Sequence, residues 1–564
     1  MVAVPEPPKE VGAGIPAHTP HAVSVMLPTW QDNIGYEEGD PRLSSRLSTK
    51  FGKPSESCML FPSRKVAERC REFMQRYYKP ASEHSGGLIR IADFEIAPPS
   101  DHANELQRVS VYIVLFPEDA FSVAKQFWQH SGDIFSSRMA EYCLRILDEA
   151  PKTTADTMDI KPKHGGRYSR LSSAAAKKPV EEEGDHSTYL EERYGRNLPV
   201  AFADRAKRAL RCRIAGVITE AGNEGTVQEQ RQRQGDRGIT GLSEDEVYIY
   251  PCGMSAIFHA HQCAMAIGDA SRKSVCFGFP YTDTLKILQK WGAGCHFYGI
   301  GEDKDIDKLE QLLESGERIL SLFCELPSNP LLKSPDIRRL RQLADKYGFI
   351  IAVDETIGNF CNVNVLERVD IVVSSLTKVF SGDSNVMGGS LVLNPRSQYH
   401  DALQQRLDVE YEDLVWGEDA IFLERNSRTF KARSQTINEN AEALCDYLVT
   451  HPKVKSVFYP KFVCREHYDA VKTSDGGFGG LFSMMLASEK HAEQFYDNLD
   501  SAKGPSLGTN FTLACPYTIL AHYTELDWVE QFGVSRHLVR VSVGLEDREK
   551  LLNMFSKALD AVDA

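Results

Sequence analysis

Residues 318–355 read RILSLFCELPSNPLLKSPDIRRLRQLADKYGFIIAVDE, and this stretch decides the architecture. Its two ends, RILSLFCE (318–325) and FIIAVDE (349–355), are short apolar runs, the composition of strands buried on both faces. Between them, SPDIRRLRQLADKYG (334–348) carries apolar residues at helical spacing. Ser334 is expected to cap that helix, Pro335 to take its first position and Gly348 to end it. Strand, helix and strand at this spacing form a parallel crossover unit. KSVCFGF (273–279) and DIVVSS (370–375) repeat the apolar runs, so an α/β domain with a mostly parallel sheet is expected. In such sheets ligands gather at the carboxyl ends of the strands.

Polar residues fall at those ends. Asp354 follows FIIAV, Asn329 follows LSLFCELPS, and Ser375, Thr377 and Lys378 follow DIVVS. Lysine is costly to bury, so either the strand surfaces at SSLTKVFSG (374–382) or the amine is meant to react. A reactive amine needs an electrophile, and the aldehyde of pyridoxal phosphate (PLP) is one, with a carboxylate such as Asp354 keeping its ring nitrogen protonated. Gly253 and Met254 open an Ala-rich helical pattern, PCGMSAIFHAHQCAMAIG (251–268), and backbone N–H groups at a helix N-terminus bind phosphate. Tyr281 follows another strand and is placed to stack on an aromatic ring. Taken singly, each residue has an ordinary reading: a turn cap for Asp354, a glycine turn at Gly253, a core side chain for Tyr281. Their coincidence at strand ends carries the case.

The 564 residues suffice for several domains, and a formal net charge of −14 argues against a nucleic-acid or membrane-surface partner. No apolar run approaches the ~18 residues of a membrane span. The Pro-rich start lacks an apolar secretory core, and the 13 cysteines form no Cys-x-x-Cys or zinc spacing, so a reduced, cytoplasmic protein without a metal site is expected. Residues 1–20 are expected to be disordered. Residues 21–150 have the composition of a folded α+β segment, with a strand at VSVYIVLF (109–116) and a helix at EDAFSVAKQFWQHSG (118–132) ending at Gly132. The polar stretch 151–187 reads as a flexible linker. A large domain is expected over 188–435. VKSVFYP (454–460), GGFGGLFSMML (476–486) and HLVRVSVGLED (537–547) predict a smaller α/β domain over 436–564. No Gly-x-Gly-x-x-Gly follows a first strand, which excludes a dinucleotide-binding reading.

The sequence resembles the PLP-dependent enzymes of cysteine and methionine metabolism, the trans-sulfuration family, over roughly residues 188–564. SSLTKVFSGDSNVMGGSLV (374–392) is similar to the family's Ser-x-Thr-Lys signature with its trailing Gly-Gly. ELPSNPLL (325–332), VDET (353–356), RYGRNLP (193–199), SLGT (506–509) and LVRVSVGLED (538–547) match further family segments in order. The opening HAVSVMLPTWQDNIGYEEGDPR (21–42) resembles the N-terminal extension of the fungal members. The resemblance implies a PLP-dependent transferase of fold type I, with Lys378 carrying the cofactor covalently and moving protons. It implies Asp354 on the pyridinium nitrogen, Asn329 at the ring hydroxyl and Tyr281 stacked on the ring. It implies Gly253, Met254, Ser375 and Thr377 on the phosphate, and Tyr194 and Arg196 reaching the phosphate of a neighbouring subunit, hence a homodimer or homotetramer. Arg540, helped by Ser506, would clamp the substrate carboxylate. A literal Tyr-Ser-Arg at 168–170 lies in the polar stretch without a following Asn-Pro and is set aside.

The reaction implied is γ-replacement on an O-acylhomoserine, O-acetylhomoserine for the fungal type, by the thiol of L-cysteine, a step of methionine biosynthesis. A cystathionine lyase or a homoserine-ester sulfhydrylase is the alternative within the family, and an inactive regulatory or scaffolding protein the alternative outside it. Three segments depart from the family pattern. Gly382-Asp383-Ser384-Asn385 stands for the usual Gly-His-Ser-Asp, Phe511 for an acid, and Tyr281-Thr282-Asp283-Thr284 for Tyr-Gly-Gly-Thr.

Overall fold

The computed structural model describes residues 4, 6–36, 56–79, 89–96, 108–149, 200–216, 237, 239 and 241–563. The polar stretch 151–187 and the phosphate-reaching Tyr194 and Arg196 lie outside these residues.

A seven-stranded sheet fills the middle of the chain. In spatial order its strands are Val247–Tyr250, Gly389–Leu393, Ile371–Ser375, Ile350–Asp354, Ser321–Glu325, Ser274–Phe277 and Cys295–Tyr298. Only Gly389–Leu393 runs against the others. Most of these strands are buried along nearly their whole length, as helices cover both faces. On one face lies Gly253–Ile267, packed on the strands Ile371–Ser375 and Gly389–Leu393, with Ala256, Ala260 and Ala264 fully buried. Small side chains one turn apart let its backbone approach the sheet closely.

The crossover helix runs Ile337–Tyr347 and ends on Gly348 at φ 71, as the sequence predicts. Its cap is Asp336 rather than Ser334: the Asp336 carboxylate accepts from the N–H of Arg338 and of Arg339. Both residue types favour caps, and a carboxylate one residue before the helix reaches two orphan donors at once.

The C-terminal unit is a five-stranded sheet in the order Val454–Phe458, Leu481–Leu486, Val539–Ser542, Leu513–Pro516 and Ala502–Lys503, backed by Phe430–Val449, Glu489–Asn498 and Arg548–Asp560. The N-terminal unit is a three-stranded antiparallel sheet with Val109–Pro117 between Glu56–Phe61 and Arg90–Ile96. The helices Arg64–Tyr77 and Phe121–Ser131 pack with it, the second ending on Gly132 in the left-handed region. Phe73 stacks on Trp291 of the central unit at 4.8 Å, and Phe258 meets the same indole edge-on at 4.8 Å.

The first residues depart from the expected disorder. Gly14–Ile15 pairs with Ser24–Val25, and Ile15 is buried with Met26 against Phe511 and Leu513 of the C-terminal unit. Apolar residues spaced through a Pro-rich arm gave no periodic signal, because the arm is held by another domain rather than by its own core. All thirteen cysteines are free thiols. No helix among the described residues is long and apolar enough to cross a membrane.

Candidate active site

The strands Val247–Tyr250, Ser274–Phe277, Ser321–Glu325, Ile350–Asp354 and Ile371–Ser375 all end on one edge of the sheet, and each leads into one part of the site. The strand Ile371–Ser375 leads into the turn that carries Lys378. Its Nζ donates to Ser506 Oγ at 3.4 Å. Gly508, at φ +71, lies so close that a Cβ there would sit 2.7 Å from the Lys378 Cβ, so the SLGT loop closes directly over the lysine. Burial, helped by the Arg540 cation, pushes the Lys378 amine down to about 8, against the pull of Asp354.

Asp354 ends the next strand. Its Oδ1 accepts from Thr356 N–H at 2.8 Å, and Thr356 Oγ1 accepts from Ser375 N–H at 2.8 Å, which ties the two strand ends together. Glu325 lies directly opposite Asp354 in the register. Its carboxylate accepts from the backbone N–H of Tyr281 and, at 2.8 Å, from that of Asn329. Burial, with repulsion from Asp354, pushes the Glu325 carboxyl well above the usual carboxylate range, and burial raises Asp354 as well. Asn329 Oδ1 in turn accepts from Arg540 Nη1 at 3.2 Å. Arg540 is buried on the strand Val539–Ser542, and its Nη2 donates to the carbonyls of Pro505 and Ser506 at 2.9 Å each. The Arg540 guanidinium lies over the Tyr517 ring at 5.0 Å. Tyr281 stands immediately before the helix Thr282–Lys290 and is 43% exposed.

Gly253 and Met254 begin the helix Gly253–Ile267. A Cβ on Gly253 would sit 2.7 Å from the Ser375 Cβ, and one on Gly389 would strike the Cys252 carbonyl at 2.1 Å. The two glycines therefore let a helix N-terminus lie against the lysine-bearing strand. Thr377 differs from expectation in one respect. Its Oγ1 accepts from Gly388 N–H at 3.1 Å and donates to Gly388 O at 3.3 Å, so its proton reaches a ligand only by turning from Gly388.

These residues fit PLP on three counts. The N–H groups of a helix N-terminus beside Ser375 suit a phosphate dianion. The buried Asp354 carboxyl lies beside a lysine whose own charge is disfavoured, so a protonated pyridine nitrogen would give it the close cationic partner that Lys378 supplies only in part. Lys378 offers a partly neutral amine for an aldehyde.

The geometry brings together ten of the residues singled out from the sequence, Tyr194 and Arg196 excepted. Sequence reasoning assigned no role to Glu325, Thr356, Cys252 or Tyr517. Glu325 had a signal: it is a charged residue closing an otherwise apolar strand. Glu325→Gln puts an amide donor against one of the two backbone N–H groups that the carboxylate holds. The expected result is a kcat/KM lower by about ten- to hundredfold, from a buried N–H left unpaired at a cost of ~1–3 kcal/mol, with the fold retained by far-UV circular dichroism.

Comparison with known proteins agrees with this chemistry. The family described as Cys/Met metabolism PLP-dependent enzyme matches residues 238–560, and the fungal trans-sulfuration enzyme N-terminal domain matches residues 41–136. The chain is 46% identical to a cystathionine gamma-synthase of Neurospora crassa over 99% of both chains. It is 39% identical to that of Saccharomyces cerevisiae over 98% of this chain and 99% of the other. The crystal structure of cystathionine gamma synthase from Xanthomonas oryzae pv. oryzae superposes at a TM-score of 0.51 and 23% identity, covering 65% of this chain and 98% of that one. The chain belongs to the PLP-dependent enzymes of cysteine and methionine metabolism, in their fungal form with an N-terminal domain, and pyridoxal 5'-phosphate is its cofactor.

Proposed function

We propose that the protein is a cystathionine gamma-synthase: it exchanges the γ-acyloxy group of an O-acylhomoserine, O-acetylhomoserine in this fungal form, for the thiol sulfur of L-cysteine. The C–O bond at the γ-carbon breaks, a C–S bond forms there, and the acyl group leaves as a carboxylate. The observation that supports this best is the meeting of Lys378 and Arg540 at one loop, Ser506 touching both through its hydroxyl and its carbonyl. An amino acid whose carboxylate is held by Arg540 thereby presents its α-carbon beside Nζ of Lys378.

When bound, the cofactor acts as an electron sink that makes the α- and then the β-protons of the amino acid acidic. Lys378 Nζ takes and returns those protons, which requires it to be neutral when it acts. Arg540 binds the carboxylate, Asp354 holds a pyridinium charge, Tyr281 covers the ring, and the loop over Lys378 excludes water. Gly253, Met254, Ser375 and Thr377 hold the phosphate. The same reading carries a cytosolic homo-oligomer, at least a dimer, with Tyr194 and Arg196 serving the neighbouring site.

The test supplies the purified holoenzyme with O-acetylhomoserine and cysteine and follows cystathionine. Sulfide in place of cysteine, and cystathionine alone, separate the sulfhydrylase and lyase activities. Faster turnover with either would overturn the proposal.

The depressed amine of Lys378 has a pH consequence. With its pKa near 8, roughly a tenth of the amine is neutral at pH 7, against roughly a few parts in ten thousand at the ordinary lysine value. Only the neutral amine adds to an aldehyde. Cofactor uptake by the apoenzyme is therefore expected to quicken as pH rises through 8 and to level off above it, as followed by absorbance. A rate still climbing steeply above pH 10 would show an ordinary lysine.

A further inference from the structure

We propose that Asp133, contributed by the N-terminal domain, is a positioning residue for the cofactor phosphate, acting through the first turn of the helix Gly253–Ile267. The proposal rests on the reading of Gly253, Met254 and Ser375 as the phosphate cradle.

Asp133 is wholly buried. Its Oδ1 accepts from Ser255 Oγ at 2.6 Å and lies 3.2 Å from His259 Nε2, and its Oδ2 accepts from Arg69 Nη2 at 3.0 Å. Ser255 and His259 are four residues apart and share one face of the helix. A carboxylate bonded to both fixes the roll of that helix about its axis. The roll decides where the N–H groups of Gly253 and Met254, the two residues before Ser255, point. Burial alone would raise the Asp133 carboxyl, but His259, Arg69 and Ser255 outweigh it and hold it low, so the group is ionised and locked among its partners.

The backbone beside Asp133 grips the same turn. Gly132 caps the helix Phe121–Ser131 at φ +61, and a Cβ there would sit 2.4 Å from the Ser255 nitrogen, so only glycine permits the approach. Cys252 Sγ donates to Gly132 O at 3.2 Å. The C-terminus of one helix thus abuts the N-terminus of the other, an arrangement that the two dipoles favour. Asp133 and Gly132 together join the N-terminal domain to the cradle, although neither is placed to touch the cofactor.

The experiment measures the PLP dissociation constant of apoenzyme, by titration of bound-cofactor absorbance and circular dichroism, for Asp133→Asn, Ser255→Ala and their double variant. Each single change is expected to raise the constant about tenfold, the equivalent of one charged hydrogen bond, and the double no more than the larger single. Ser63→Ala, which removes a bond from the same domain to Glu412 rather than to the cradle helix, is expected to leave the constant unchanged. A constant within twofold of wild type in either single variant overturns the proposal, as do additive effects in the double or an equal rise in Ser63→Ala. Ser375→Ala separates this from the reading beneath it. If it raises the constant while the Asp133 and Ser255 variants do not, the cradle stands and the role of Asp133 falls; if Ser375→Ala leaves the constant at the wild-type value, the cradle reading itself falls.

Discussion

Replacing Lys378 by alanine will lower turnover on the order of 10³-fold or more, with the fold and its melting temperature close to wild type. The magnitude follows from the two tasks that one amine serves, covalent attachment of the cofactor and proton transfer, of which the second alone is worth about 10²- to 10⁴-fold. Stability is insensitive because the native amine gains little from its surroundings. Among the described residues its one side-chain hydrogen bond is the 3.4 Å contact with Ser506, and its charge is disfavoured by burial and by Arg540. Lys378→Arg distinguishes the reactive amine from its charge. A guanidinium compensates Asp354 as well as an ammonium does, yet it stays protonated at any working pH and cannot add to an aldehyde. Both variants are therefore expected to be inactive. Borohydride reduction of the wild-type holoenzyme, followed by peptide mapping, places the tag on residue 378 and gives none in either variant. More than a few per cent of activity in Lys378→Arg would show that the lysine serves only as a charge.

The site was legible in the sequence to the extent that its residues sit at strand ends. Lys378, Asp354 and Asn329 are polar groups that follow apolar runs, and the crossover pattern of 318–355, repeated by the run at 370–375, brings those ends to one edge. Glu325 shares their position and went unassigned because its partners are backbone N–H groups of Tyr281 and Asn329, which no residue type advertises. Asp133 was hidden for a different reason. It lies in another domain, more than a hundred residues from Ser255, and a long-range contact leaves no spacing to read.

The departures from the family pattern become intelligible once the extension is in place. Phe511 stands where an acid is usual, and it is buried against Ile15 and Met26 of the N-terminal arm, an apolar seat that a carboxylate would find costly. In Gly382-Asp383-Ser384-Asn385, the Ser384 carbonyl accepts from Val23 N–H and the Asn385 carbonyl from Arg138 Nη2 at 2.6 Å. Asp383 accepts from Asn510 Nδ2 at 2.6 Å. Two of the three departures thus fall where the extra segments dock on the catalytic unit. A family pattern compiled over the shared module is bound to differ at such places, since the docking partner lies outside that module.

Arg540 supplies the second large effect, and two substitutions divide its roles. Arg540→Gln removes a buried cation that binds the substrate carboxylate and also helps depress Lys378. The KM for the homoserine ester is expected to rise about 10²- to 10³-fold, the cost of a carboxylate left without its buried partner. The Lys378 amine loses one of the two influences that lower it, burial being the other, so its pKa moves up and the midpoint of cofactor uptake shifts to higher pH. Arg540→Lys keeps the positive charge but not the fork. A single ammonium cannot serve Asn329 Oδ1 and the carbonyls of Pro505 and Ser506 while also presenting two parallel donors to a carboxylate. Its KM is expected to rise nearly as far as in Arg540→Gln, with the uptake midpoint staying near that of the wild type. Separate movement of the two readouts would establish that one guanidinium sets both the grip on substrate and the basicity of the lysine beside it. If the midpoint moved equally in both variants, the influence on Lys378 would lie in packing around Ser506 rather than in charge.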